Sequence, residues 1–93
     1  MKSMSTVVRA LLAHHLDRNA ATLRDGHHLA RDLDLTPLEL VTVALDVEQM
    51  EGVQLPIERL AEVSTVGDLI RYLAREVNAA RGFRVARSLR RVA

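Results

Sequence analysis

The strongest structural signal in this sequence is a helix start at residues 36–39. Thr36 is a residue type that caps helix N-termini, Pro37 suits the first helical position, and Glu39 stands where a capping box places its acid. Apolar side chains then recur on one helix face, at Leu40, Val43, Val47 and Met50. The pattern predicts a helix over residues 37–50, which ends at Glu51 and Gly52.

Helical spacing of apolar residues occurs in two further segments, residues 4–17 and residues 66–77. Residues 57–63 are long enough for one or two helical turns, and residues 18–36 form a long connection. The predicted inward positions are Val8, Leu11, Leu12 and His15, then Leu29 and Leu33 in the connection, and Val66, Leu69, Ile70 and Leu73. We predict an all-α four-helix bundle with three main helices, one short helix and a long first loop, and Gly82 breaks the last helical pattern.

Composition limits both the core and the available chemistry. The 93 residues are 48% hydrophobic and form one small domain, which we assign to residues 1–80. Tyr72 and Phe83 are the only aromatic residues, so the core must be aliphatic. The absence of cysteine excludes disulfides, zinc–thiolate sites and thiol nucleophiles. Since no apolar run reaches the roughly 20 residues of a membrane span and no signal peptide is evident, we expect a cytoplasmic protein.

The formal net charge of +1 conceals two oppositely charged regions. Residues 32–68 contain nine acids and a single Arg59, which gives a net charge of −8. Residues 81–93 contain five arginines and no acid, which gives +5. Such an asymmetry indicates an acidic body with a basic C-terminal tail.

The basic tail, residues 81–93, has three interpretations. It folds back on the acidic body, it binds an anionic membrane or nucleic acid, or it is disordered. Nucleic acid is the weakest choice, because no recognised module is present and the body repels phosphates. We favour a partly ordered tail that docks on a partner or on the acidic surface. The arginines available for contact with a membrane surface are Arg81, Arg84, Arg87, Arg90 and Arg91.

Four short motifs occur in the order in which a known family has them. Asp32-Leu33 precedes the helix start, and Leu38-x-x-Val41 follows it. Gly52-Val53-Gln54-Leu55-Pro56 comes after the helix, and Ser64-Thr65-Val66-Gly67-Asp68-Leu69 opens the last one. Over residues 4–77 this series resembles the acyl carrier and peptidyl carrier proteins. The resemblance implies the carrier fold, partner enzymes, and a 4'-phosphopantetheine arm on a serine.

The serine that holds this arm in the family has no counterpart here. Alignment on Asp32-Leu33 puts Pro37 at its position, whereas alignment on the helical core, with Met50 in place of a phenylalanine, puts Thr36 there. We favour Pro37, because Leu38-x-x-Val41 then also matches. Proline has no hydroxyl. The hydroxyl of threonine is secondary, its side chain is β-branched and restricted in χ1, and its oxygen is suited to capping a helix. We therefore expect no cofactor, with 4'-phosphopantetheine present only if Thr36 is modified.

Acidic residues of the central helix are the candidate partner-binding residues. The resemblance implies that Glu39, Asp46 and Glu48 receive arginines and lysines of partner enzymes. The alternative is an ordinary solvated helix face. The net charge of −8 over residues 32–68 favours the partner interpretation, because such a field attracts a basic surface and weakens with salt.

No residue pattern indicates a catalytic or metal site. His14 and His15 are adjacent, and adjacent residues on a helix point about 100° apart, so they cannot both face one ion. No nucleophile is accompanied by a base and an orienting group, and Asp32 and Asp34 suit a loop and capping role better than acid–base work. We expect no catalytic residues, no metal and no enzymatic activity.

The sequence thus favours a carrier-like domain that has no 4'-phosphopantetheine arm. Such a domain would act as an interaction or regulatory partner in fatty-acid, lipid or polyketide synthesis. One alternative is a functional acyl carrier protein modified unusually at Thr36. Another is a membrane-surface or nucleic-acid adaptor that works through the arginine-rich tail.

Overall fold

The computed structural model describes the backbone of residues 3–92 and the side chains of residues 3–82. Its three α-helices are α1 (Met4–Leu16), α2 (Pro37–Glu51) and α3 (Val66–Val92), and single 3-10 turns lie at Ala20–Thr22 and Leu60–Glu62. The prediction of an all-α bundle with three main helices and a long first loop is confirmed, and the short helix predicted within residues 57–63 is the 3-10 turn Leu60–Glu62. Within the described residues, no helix is long and apolar enough to cross a membrane.

Side-chain caps and one glycine set the helix ends. Ser3 caps α1 by accepting a hydrogen bond from the Thr6 N–H at 3.2 Å. Thr65 caps α3 in the same way, accepting from the Asp68 N–H at 3.1 Å. Gly52 ends α2 with a φ of 66°, a left-handed conformation that glycine adopts without steric cost.

Met50 does not lie in the core, contrary to the prediction from its spacing, because it is 59% exposed. The helix ends at Gly52, and the side chains of Val53 and Leu55 in the following segment are buried at the end of α2 instead. The helical pattern alone could not show that this later segment fills the space at the end of α2.

The core is aliphatic, as the composition requires. The buried side chains on the three helices are Val7, Val8, Leu12, Val43, Ala44, Val47, Val66, Leu69, Leu73 and Val77. Leucines of the first connection join them, including the predicted Leu29 and Leu33, which are 4% and 5% exposed. No polar or charged side chain is buried among the described residues, so the core is held by apolar burial alone.

The first connection is tied to the start of α3. The Leu29 N–H donates to the Ser64 carbonyl at 2.8 Å, and the Val66 N–H donates to the His27 carbonyl at 3.0 Å. On the other side, the Arg9 guanidinium of α1 contacts the Asp25 carboxylate and a loop carbonyl. The loop therefore has a fixed path into α2.

The last helix is longer than predicted. Instead of ending at residue 77, α3 continues through Gly82 to Val92. One glycine inside a helix costs only about 1 kcal/mol relative to alanine, and good helix formers precede it. Arg81 also forms an ion pair with Glu51, the last residue of α2.

The two longest helices run in the same direction. The start of α3 hydrogen-bonds to the loop that leads into α2, and Arg81 meets the end of α2. At 1.5 Å per residue, α2 is about 22 Å long and α3 about 40 Å. Residues 83–92 of α3 therefore continue beyond the end of α2, away from its start.

Replacement of Leu69 tests the packing of α3. Its side chain is fully buried, so Leu69→Ala should lower the free energy of unfolding by roughly 2–5 kcal/mol in urea or thermal denaturation. Leu38→Ala is the matched control, because Leu38 is 75% exposed, and its change should stay within about 0.5 kcal/mol. A loss well below 1 kcal/mol for Leu69→Ala would contradict this position of α3.

Candidate functional site

The start of α2 forms the predicted capping box. The Thr36 side-chain oxygen accepts a hydrogen bond from the Glu39 N–H at 3.2 Å. In return, the Glu39 carboxylate accepts one from the Thr36 N–H at 3.0 Å. Pro37 occupies the first helical turn, where its missing N–H leaves no bond unmade. The hydroxyl oxygen of Thr36 thus contributes to helix initiation.

The capping box also holds the charge of Glu39. The hydrogen bond from the Thr36 backbone N–H lowers the pKa of the Glu39 carboxyl, and the Thr36 side chain and His15 act in the same direction. The carboxylate is consequently ionised near neutral pH. A negative charge in the first turn is also favourable to the helix dipole.

An apolar cavity of about 430 Å³, which we call the α2 cavity, lies beside this helix start. It is bounded by the first residues of α2, the loop before them and the segment around the 3-10 turn Leu60–Glu62. Its apolar lining consists of Leu29, Leu35, Leu40, Val41, Ile57, Leu60 and Val63, together with alanines and Pro37. Ile57 is 41% exposed, so the cavity is accessible from solvent. Cavities of this size and lining suit an apolar group.

The three predicted partner-binding acids all lie on α2, and each makes a contact within the protein. Asp46 Oδ2 lies 3.4 Å from His15 Nε2 of α1, and Glu39 is on the same side of α2. Glu48 points to the opposite flank, where its carboxylate accepts the Leu55 N–H at 2.5 Å. The structure therefore brings Glu39 and Asp46 to one side of α2 but not Glu48.

Two exposed leucines on the outward face of α2 were missed by the sequence analysis. Leu38 is 75% exposed and Leu45 is 48% exposed. They are seven residues apart, which puts them on the same side of the helix. Their spacing was visible in the sequence, but only the structure shows that the buried face of α2 lies elsewhere, at Val43 and Val47.

The two histidines of the first connection form hydrogen bonds with its backbone. In the first connection, His27 Nδ1 accepts the Arg24 N–H at 3.0 Å, and His28 Nδ1 accepts the Arg31 N–H at 3.1 Å. Among the residues whose side chains are described, no group of three or more His, Asp or Glu could hold a metal ion.

Most of the basic tail lies outside the described side chains. Arg81 is described and pairs with Glu51. The predicted membrane contacts of Arg84, Arg87, Arg90 and Arg91 fall on residues whose side chains are not described.

Removal of the cap should weaken α2. Thr36→Ala leaves the Glu39 N–H without its acceptor and should lower the free energy of unfolding by about 1 kcal/mol, within a range of 0.5–2 kcal/mol. Chemical denaturation measures this loss, and Thr36→Ser, which keeps an acceptor oxygen, should retain most of the stability. Equal losses in both variants would contradict the capping role.

Low pH should remove the contribution of Glu39 to the stability of the fold. Because its folded-state pKa is lowered from 4.5, its stabilisation is complete above about pH 4.5 and is lost as the pH falls through the folded-state value. We expect the stability difference between wild type and Glu39→Gln to shrink in that range, measured by denaturation from pH 7 down to about pH 3. A difference independent of pH would contradict the role of the ionised carboxylate.

Comparison with known proteins identifies the fold's family. Residues 6–73 match the family described as Phosphopantetheine attachment site. The acyl carrier protein of Helicobacter pylori (strain G27) is 27% identical over 66 residues, which cover 71% of this chain and 85% of that protein. A probable acyl carrier protein of Caulobacter vibrioides is 36% identical over 50 residues, 54% of this chain and 58% of the relative.

A meromycolate extension acyl carrier protein of Mycolicibacterium aurum is 43% identical over 42 residues, 45% of this chain and 43% of that protein. The family consists of carriers that use a 4'-phosphopantetheine group, not of enzymes, which confirms the prediction that this chain is not an enzyme. The family match covers most of the chain, from within α1 through α2 to the first part of α3. The chain therefore belongs to the phosphopantetheine attachment site family, as the resemblance to acyl carrier proteins predicted.

Proposed function

We propose that this protein is a carrier-fold domain without a phosphopantetheine arm, which acts in the cytoplasm as an interaction or regulatory partner in fatty-acid, lipid or polyketide synthesis. The observation that carries the proposal is the start of α2, where Pro37 follows Thr36 and the Thr36 hydroxyl oxygen caps the helix. The meromycolate extension carrier among the relatives supports a lipid-synthesis setting.

The residues at the start of α2 do not suit covalent attachment of the 4'-phosphopantetheine arm that the family implies. Attachment requires a phosphodiester on a side-chain hydroxyl, and Pro37 has none. Thr36 has a secondary hydroxyl with a β-branched, restricted χ1, and its oxygen accepts the Glu39 N–H. Esterification of this oxygen would weaken it as an acceptor and disturb the cap. Ser64 also lines the α2 cavity, but it precedes α3 and not α2.

The proposed partner contacts are Glu39 and Asp46 on one side of α2 and, as a separate contact, Glu48 on the opposite flank. Each internal contact of these acids uses one carboxylate oxygen, so the second oxygen can accept a hydrogen bond from an arginine or lysine. Basic surfaces of acyl-processing or synthase enzymes are the complementary partners. The net charge of −8 over residues 32–68 would speed their association, and salt would weaken it.

Attempted modification tests the proposal directly. The chain is incubated with coenzyme A and a phosphopantetheinyl transferase active on acyl carrier proteins, and intact mass is measured. We expect wild type to keep its mass, whereas Pro37→Ser should gain one phosphopantetheine because it supplies a primary hydroxyl at the favoured position.

Thr36→Ser is the matched variant for the other alignment, and we expect it to remain unmodified. A working acyl carrier of the family serves as the positive control for the transferase. If wild type gains the group and fragmentation assigns it to Thr36, the protein is a functional carrier and the proposal is wrong. Modification of Thr36→Ser but not of Pro37→Ser would instead refute the favoured alignment.

A further inference from the structure

The lining of the α2 cavity includes one acidic residue, Glu58. Glu62 lies four residues further along the chain, and both side chains are exposed and near Tyr72. We call these two acids the cavity rim. Among residues 3–82, neither carboxylate takes part in an ion pair or a hydrogen bond. An accessible apolar cavity beside two unpaired acids suits a segment that combines apolar and basic side chains.

The chain itself contains such a segment at its C-terminus. Residues 81–93 carry five arginines and no acid, and apolar residues are interspersed among them. The backbone of this segment is helical as far as Val92. Its charge of +5 complements the −8 of residues 32–68.

The basic segment cannot reach the α2 cavity of its own chain while α3 is continuous. The cavity lies at the start of α2, whereas α3 passes the end of α2 at the contact between Arg81 and Glu51. Residues 83–92 then continue for about 15 Å in the same direction. Any cavity that this segment enters must belong to another molecule.

We propose that the C-terminal segment of one chain docks at the α2 cavity of a second copy, with its arginines beside Glu58 and Glu62. Two reciprocal contacts of this kind form a closed, two-fold symmetric dimer. The dimer covers the start of α2, so dissociation would be needed to expose that surface to other proteins. This inference goes beyond the proposed function and does not depend on whether the chain is phosphopantetheinylated.

Sedimentation equilibrium of the full chain tests the dimer. We expect a dimer whose dissociation constant rises at least about tenfold between about 50 mM and about 500 mM NaCl, because exposed ion pairs are screened. Two charge-reversed variants sharpen the test: Glu58→Arg/Glu62→Arg changes the cavity rim, and Arg84→Glu/Arg87→Glu/Arg90→Glu gives the tail, residues 81–93, a net charge of −1 (two arginines against three glutamates).

Each variant alone should be monomeric, whereas an equimolar mixture should form a heterodimer, because both contacts then join opposite charges. Circular dichroism checks that each variant is folded. If charge reversal unfolds the rim variant, Glu58→Gln/Glu62→Gln takes its place, and this neutral variant should weaken the dimer. Arg18→Glu, at an exposed residue that neither lines the α2 cavity nor belongs to the tail, is the control and should dimerise like wild type.

A wild-type chain that stays monomeric at low salt, at concentrations up to about 1 mM, would overturn the proposal. So would a dimer that survives the single charge reversals, or one that the control variant also disrupts. A monomer that binds phosphatidylglycerol vesicles at low salt would assign the tail to a membrane surface instead.

Discussion

Burial of the leucines in the first connection is the constraint on which the rest of this structure depends. Leu23, Leu29, Leu33 and Leu35 are all buried, although none lies in an α-helix. They draw the loop onto the core, where its backbone bonds to the start of α3. The loop then delivers the chain to Thr36 at a fixed position, which determines where α2 begins and where the α2 cavity forms.

At that position, the residues that start the helix, Thr36 and Pro37, are also the two candidates for the family's attachment position. Thr36 can cap α2 because its oxygen faces the first turn, and Pro37 strengthens the start because its φ is already helical. A carrier must instead present a reactive hydroxyl to solvent and to a modifying enzyme. The acids of α2 also have two roles. Glu39, Asp46 and Glu48 each stabilise a contact within the protein, and each also contributes to the negative field.

The local features were predictable because they depend on near neighbours in the sequence. The capping box needs only residues 36–39, and the core positions Val43 and Val47 follow from helical spacing. Met50 has the same spacing but is exposed, because its burial depended on what packs beyond the end of α2. The continuation of α3 past Gly82 likewise depended on flanking residues and on a contact with Glu51.

The sequence by itself determined the helical class, the aliphatic core and the absence of a serine from the start of α2, since all three depend on residue type and spacing. Only the tertiary structure decided which side of α2 is outward, which acids are engaged internally, and that α2 and α3 run in the same direction. These features arise from contacts between residues far apart in the chain, such as His15 with Asp46 and Arg81 with Glu51. Helical periodicity carries no information about such pairs, because it describes one helix at a time.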